Sequence, residues 1–292
     1  MAVLFGMYWN FLRKETYFQF NRIYLLGTVL VACMLPLGNF SLFESSSESS
    51  VLNVISGMGE AVRIPEVTIA EGSTNGFSLS NNWQHLLIVI YLLGTSILLA
   101  RIFLGIIRIN GLKKTGRRID YDGYSIVYIK QQFAPFSFFR TIFINENLID
   151  SSERSNVIDH EVLHIKQFHT YDILITEIFL AIFWFNPFMW FLKRALRNTH
   201  EYLADNGIIN TGTSLTNYQS LLLKQIHGLS SLVVTNNFNS MIKNRIKMMC
   251  KSKPSVIAKF KPLLIVPAVL CLTLIFAFTD SENKLDIENL TA

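Results

Sequence analysis

The sequence predicts a multi-span α-helical membrane protein with an α+β domain facing the cytoplasm, and three observations lead there. Half of the 292 residues are hydrophobic and only 16% are charged, too apolar a mix for an ordinary soluble protein. Three apolar runs, at residues 23–40, 85–107 and 262–278, each approach the ~20 residues that a bilayer-crossing helix needs. Lysine and arginine crowd one side of every predicted crossing, and glutamate or aspartate the other.

Taken in order, residues 1–40 are an N-terminal membrane region whose opening apolar run, 1–12, is too short to cross and reads as a truncated first span. Arg13, Lys14 and Arg22 lie next to it, whereas the external loop 41–84 carries Glu44, Glu48, Glu60, Glu66 and Glu71 against Arg63. By the positive-inside rule the basic side is cytoplasmic. The span at 85–107 returns the chain to a cluster of Arg101, Arg108, Lys113, Lys114, Arg117 and Arg118. Residues 108–260 are therefore expected in the cytoplasm. The last span, 261–278, follows another lysine-rich stretch and precedes a short external tail, 279–292, with Asp280, Glu282, Asp286 and Glu288.

One apolar run, 173–192, does not fit this count, because a full crossing there would invert everything downstream. Pro187 interrupts it by removing a helix hydrogen bond and disfavouring helix at Asn186. The expectation is helix, break, helix, re-entrant or dipping into the inner leaflet, with a fourth full span as the alternative. The three cysteines, Cys33, Cys250 and Cys271, lie in or beside apolar runs with no pairing pattern. The net charge of +5 is modest and sits beside the apolar segments, which argues against direct nucleic-acid binding.

The stretch VIDHEVLHIKQFHTYD, residues 157–172, holds three of the six histidines. His160 and His164 are four apart, about 40° around a helix, so their imidazoles project from one face one turn apart. Two neutral imidazoles so placed can share a zinc ion, and Glu161 can take a proton from the attacking water and return it to the leaving amine. The competing reading is the polar face of an amphipathic helix that buries Val162, Leu163, Ile165 and Phe168. His169 is rotated by roughly 140° and 180° from the pair; without a helix break it stays outside their coordination sphere, either packed behind a ligand or part of the core.

A catalytic zinc wants a third protein ligand and an open position. The candidates lie in RALRNTHEYLADNG, where Glu201 and Asp205 stand one turn apart, His200 projects about 100° from Glu201, and Asn206-Gly207 suggests a helix stop. Glu201 is the favoured ligand and His200 the rival. Asp205 is placed to hold a ligand imidazole through its free N–H.

Four segments together resemble the BlaR/MecR-type membrane zinc metallopeptidases, regulatory proteases that inactivate a cytoplasmic repressor after an external signal. They are HEVLH at 160–164, WFNPFMWFLKRALRNTHEYLAD at 184–205, FAPFSFFRTIFINENLI at 133–149 and NSMIKNRIKMM at 239–249. The resemblance implies a gluzincin-like fold in a bacterial cytoplasmic (inner) membrane, with His160, His164 and Glu201 as zinc ligands and Glu161 as the catalytic base. It also implies an antirepressor role, with a cytoplasmic repressor as substrate and the lipid bilayer as partner; a homodimer is left open. Antibiotic-sensing proteins of this kind carry a penicillin-binding domain after the last span, whereas only about fourteen residues follow Phe278 here, too few to fold alone.

Residues 124–130 and 141–145 are β-branched and aromatic, and read as the two strands of a hairpin beside the zinc helix. An edge strand there would pair with an extended peptide. The basic segment 239–254 reads either as an anchor for the last span at an anionic leaflet or as a site of self-cleavage. Two other functions stand beside the regulatory protease. One is a quality-control protease for membrane proteins, distinguished by its substrates; the other is a non-proteolytic membrane transducer, which has no need of Glu161.

Overall fold

The computed structural model describes residues 1–34, 83–131, 133–146, 154–229, 235–251 and five isolated positions between 261 and 273. Residues 41–82 of the expected external loop 41–84, most of the span at 261–278 and the tail lie outside the described residues, while Trp83 and Gln84 begin the long helix. Helix α1 (Ala2–Met7) runs into a π-helical turn at Tyr8–Leu12, and α2 (Phe18–Met34) follows. The long helix α3 (Trp83–Thr115) leads into four strands, β1 (Arg117–Tyr121), β2 (Tyr124–Ile129), β3 (Phe136–Phe138) and β4 (Thr141–Asn145). Five helices complete the described chain: α4 (Arg154–Lys166), α5 (His169–Ile182), α6 (Pro187–Asn210), α7 (Leu215–Leu229) and α8 (Thr235–Met249).

Among the described residues, α3 is the one helix long and apolar enough to cross a membrane, with a mean hydropathy of 2.3 in its most apolar window. Its 33 residues reach about 50 Å at 1.5 Å per residue. Leu86, Leu87, Ile88 and Val89 on it are exposed, as suits a lipid-facing surface. Helix α2 is apolar, but its described part has 17 residues and covers the predicted span at 23–40 only as far as Met34.

The sheet order is β1-β2-β4-β3. Asp122-Gly123, with Gly123 at φ 86°, makes the tight turn between β1 and β2, since only glycine adopts that backbone without strain. The predicted hairpin of 124–130 with 141–145 is corrected: β2 and β4 are parallel neighbours, with Ile126 opposite Ile142 and Tyr128 opposite Ile144. Two-residue turns cannot join parallel strands, and the intervening β3 instead pairs antiparallel to β4 at the edge. One face of the sheet, Ile126, Ile142 and Ile144, packs on Ile158, Val162 and Ile165 of α4. The other, Val127, Ile129 and Phe143, packs on Ile109 and Leu112 at the end of α3.

The apolar run at 173–192 is not one helix. It breaks after Ile182, and Asn186 caps α6 by accepting from the Phe188 N–H, with Pro187 in the first turn, where its missing N–H is harmless. Helix α6 returns along α5, as the pairs His200–Asp172 and Lys193–Glu177 show. From Asp172 to the tip is eleven residues, about 16 Å, roughly half the hydrocarbon thickness. At the tip, Trp184 lies on Gly94 of α3, where a Cβ would stand 2.6 Å from the indole.

Candidate metal centre

Helix α4 presents its apolar positions 158, 162 and 165 to the sheet, which turns His160 and His164 toward α6. Their Nε2 atoms lie 3.1 Å apart. Glu201, from α6, brings one oxygen to 3.5 Å of His160 Nε2 and the other to 3.9 Å of His164 Nε2. One ligand atom from each of the three lies within 4.8 Å of the other two, the spread of a single first coordination shell. Glu161, also on α4, is buried beside them and accepts a hydrogen bond from Ser137 of the edge strand β3. His200 does not join this group, because its Nε2 is turned to Asp172 Oδ2 at 2.8 Å.

The charges suit a cation. Burial and the nearby positive groups push His164 down to about 3, so its imidazole is neutral. Burial pulls His160 down too, but the hydrogen bond and charge of Glu201, with Asp205, outweigh it and raise His160. Burial disfavours the Glu201 carboxylate, yet the Arg245 guanidinium holds it well below its ordinary value. For Glu161, burial dominates and pushes the carboxyl up.

Residues 138–249 match the family model described as BlaR1 peptidase M56. Over these 112 residues the chain is similar to an M56 peptidase domain. This supports the BlaR/MecR-type family that the motifs resemble, whose peptidases are metallopeptidases and membrane-associated. No curated protein matches the chain.

Two groups that the zinc motif did not point to, Tyr218 and Arg245, surround the three-residue cluster. Tyr218, on α7, places its hydroxyl 2.8 Å from His160 Nδ1 and donates to Asp205 Oδ1 at 2.8 Å. Asp205 itself is 3.7 Å from His160 Nδ1, so its main reach to the imidazole passes through the tyrosine. Arg245, on α8, bonds Asp205 through Nη2 at 2.5 Å and Nε at 2.9 Å, and lies 3.0 Å from Glu201 Oε2. Within the segment 239–254, residues up to Met249 are helical, with Lys243 and Lys247 exposed and Arg245 turned inward and buried. A signal was present, since Arg245 falls on the face that Ile242, Ile246 and Met249 make apolar at helical spacing.

His169 lies outside the cluster but touches it. The helix break that would free it exists: α4 ends at Lys166 and Phe168 takes the left-handed conformation, φ 58°. His169 then meets His164 on the side away from Glu201, Nδ1 to Nδ1 at 2.7 Å. Asn206-Gly207 is not a helix stop, since α6 continues to Asn210. Gly207 instead lets α6 approach Leu163 of α4, which brings Glu201 to the histidines.

Proposed function

We propose that this protein is a membrane-anchored zinc endopeptidase of signal transduction, which cleaves a cytoplasmic regulator, and in a second reaction itself, after an external signal. The observation that carries the reading is the convergence of His160, His164 and Glu201 within 4.8 Å beside the buried carboxyl of Glu161. His160, His164 and Glu201 would hold the ion, and the partners on the two Nδ1 atoms leave both Nε2 atoms free for it. When bound, zinc supplies a Lewis acid that polarises the scissile carbonyl and makes water more acidic. Glu161 takes the proton from the attacking water and returns it to the leaving nitrogen, and its raised carboxyl is suited to hold that proton between the two steps. Arg245 keeps Glu201 ionised and its ligand oxygen oriented.

An extended peptide added to the free side of β3 would lie next to Glu161, because Ser137 of that strand touches the carboxyl. The peptide-pairing edge is therefore β3 and not the central β2 or β4. The α5–α6 hairpin exposes Ile175, Ile178, Phe185, Trp190 and Phe191, which supports a re-entrant element with both feet on the cytoplasmic face. A reporter inserted near Thr213 is expected to be active in the cytoplasm, and an external signal there counts against this topology.

Glu161→Gln tests the chemistry. The amide keeps the size and removes the base, so the variant should bind one zinc per chain and lose cleavage of the cytoplasmic regulator by at least about a hundredfold. Near-normal cleavage by this variant contradicts the mechanism.

A further inference from the structure

His169 and His200 are each 1% exposed, and their rings stack with centroids 4.0 Å apart and planes 15° from parallel. One nitrogen of each has a partner: His169 Nδ1 meets His164 Nδ1 at 2.7 Å, and His200 Nε2 meets Asp172 Oδ2 at 2.8 Å. The other two, His169 Nε2 and His200 Nδ1, are buried without one. Asp172 also accepts from Arg22 Nε at 2.6 Å, and Arg22 Nη2 donates to the Gln167 carbonyl at 2.8 Å, where α4 ends. Arg22 belongs to α2, which no motif connects with the centre.

We propose that His169, His200, Asp172 and Arg22 form a chain of positioning residues that fixes the ring angle and tautomer of His164, so that α2 helps set how tightly the centre holds its metal. The inference rests on the metal reading above. With Nε2 of His164 turned to His160 and Glu201, its proton lies on Nδ1 and is donated to His169 Nδ1. His169 therefore accepts at Nδ1 and carries its own proton on Nε2. His200 faces a carboxylate, so its Nε2–H donates to Asp172 and its Nδ1 is left an acceptor. The stacked rings thus hold one unused donor and one unused acceptor. Burying such groups without partners is destabilising, so a stack serving stability alone would not be favoured over two apolar side chains. Arg22 closes the chain at its far end, and by also bonding Gln167 it holds the break that delivers His169 to His164.

The test is zinc affinity of the full-length protein in lipid nanodiscs, read by competition with a chromophoric chelator. His169→Leu is expected to weaken binding about 10–100-fold. His169→Asn, whose Oδ1 can accept the His164 proton, should recover most of that loss. Asp172→Asn and Arg22→Met should each weaken binding by about tenfold, and Asp172→Asn should add nothing in the His169→Leu background, since the link is already cut. A merely structural role predicts additive losses and no rescue by asparagine. Wild-type affinity retained in His169→Leu, or additive losses in the double variant, overturns the proposal. Failure of the wild type to bind zinc overturns the metal reading first, and the chain with it.

Discussion

Gly207 of α6 lies against Leu163 of α4 so closely that a Cβ at Gly207 would stand 2.5 Å from Leu163 Cδ1. The spacing of these two helices sets the distance from Glu201 to the two histidines. Gly207→Val should force the helices apart or Leu163 out of its rotamer, at a cost of roughly 1–3 kcal/mol. Zinc affinity should fall with it, and a combined Leu163→Ala change should restore part of the affinity by making room. A Gly207→Val protein with full affinity would show that the ligand distance does not depend on this contact.

Arg245 stands between two carboxylates in a buried site, with Asp205 on one side and Glu201 on the other. Arg245→Met should destabilise the metal-free protein by about 3–5 kcal/mol, because the buried Asp205 and the half-buried Glu201 lose their counter-charge. Added zinc should offset part of this loss, since a cation at Glu201 replaces some of the missing charge. Thermal unfolding with and without zinc measures the difference, and equal destabilisation in both conditions would detach Arg245 from the centre.

Asp172 provides a pH signature. Burial acts to raise its carboxyl, but hydrogen bonds from His200 and Arg22 and the Arg22 charge outweigh it and hold the group below 3.8. A carboxylate lowered by folding stabilises the fold fully above its ordinary value, and the benefit is lost as pH falls through the lowered one. The melting temperature of the wild type should therefore exceed that of Asp172→Asn by a constant margin from pH 8 to 5, and the margin should close only below 3.8. A margin that changes around neutral pH would assign the effect to another group.

The parts of the centre legible in the sequence were those whose geometry is local. His160, Glu161 and His164 lie within one turn of one helix, and Glu201 and Asp205 within one turn of another, so helical periodicity alone puts each set on a face. What periodicity does not carry is the meeting of helices. Tyr218 and Arg245 reach the site from α7 and α8 only through tertiary packing, and Arg245 was masked by the lysines around it. The left-handed turn that separates α5 from α4 falls on Phe168, a residue whose type gives no warning of it. Gly207 gave the opposite error, because a glycine after Asn206 has the appearance of a helix end while serving as a packing contact. The strand pairing was missed because β3, three residues long, is too short for an alternation pattern, yet its presence decides that β2 and β4 run parallel.

Helix α3 touches the α5–α6 hairpin at Gly94, under Trp184, and the sheet at Ile109 and Leu112. The two contacts are 15–18 residues apart along a continuous helix, about 23–27 Å. A rod gripped at both ends works as a lever. A tilt of about 10° about the Gly94 contact moves the far end by roughly 4–5 Å over that length, comparable to the separation of ligand atoms in the cluster. The sheet that carries α4 and the hairpin that leads into the Glu201 helix are thus both held by the same helix, so a change in its angle would be felt by both halves of the centre.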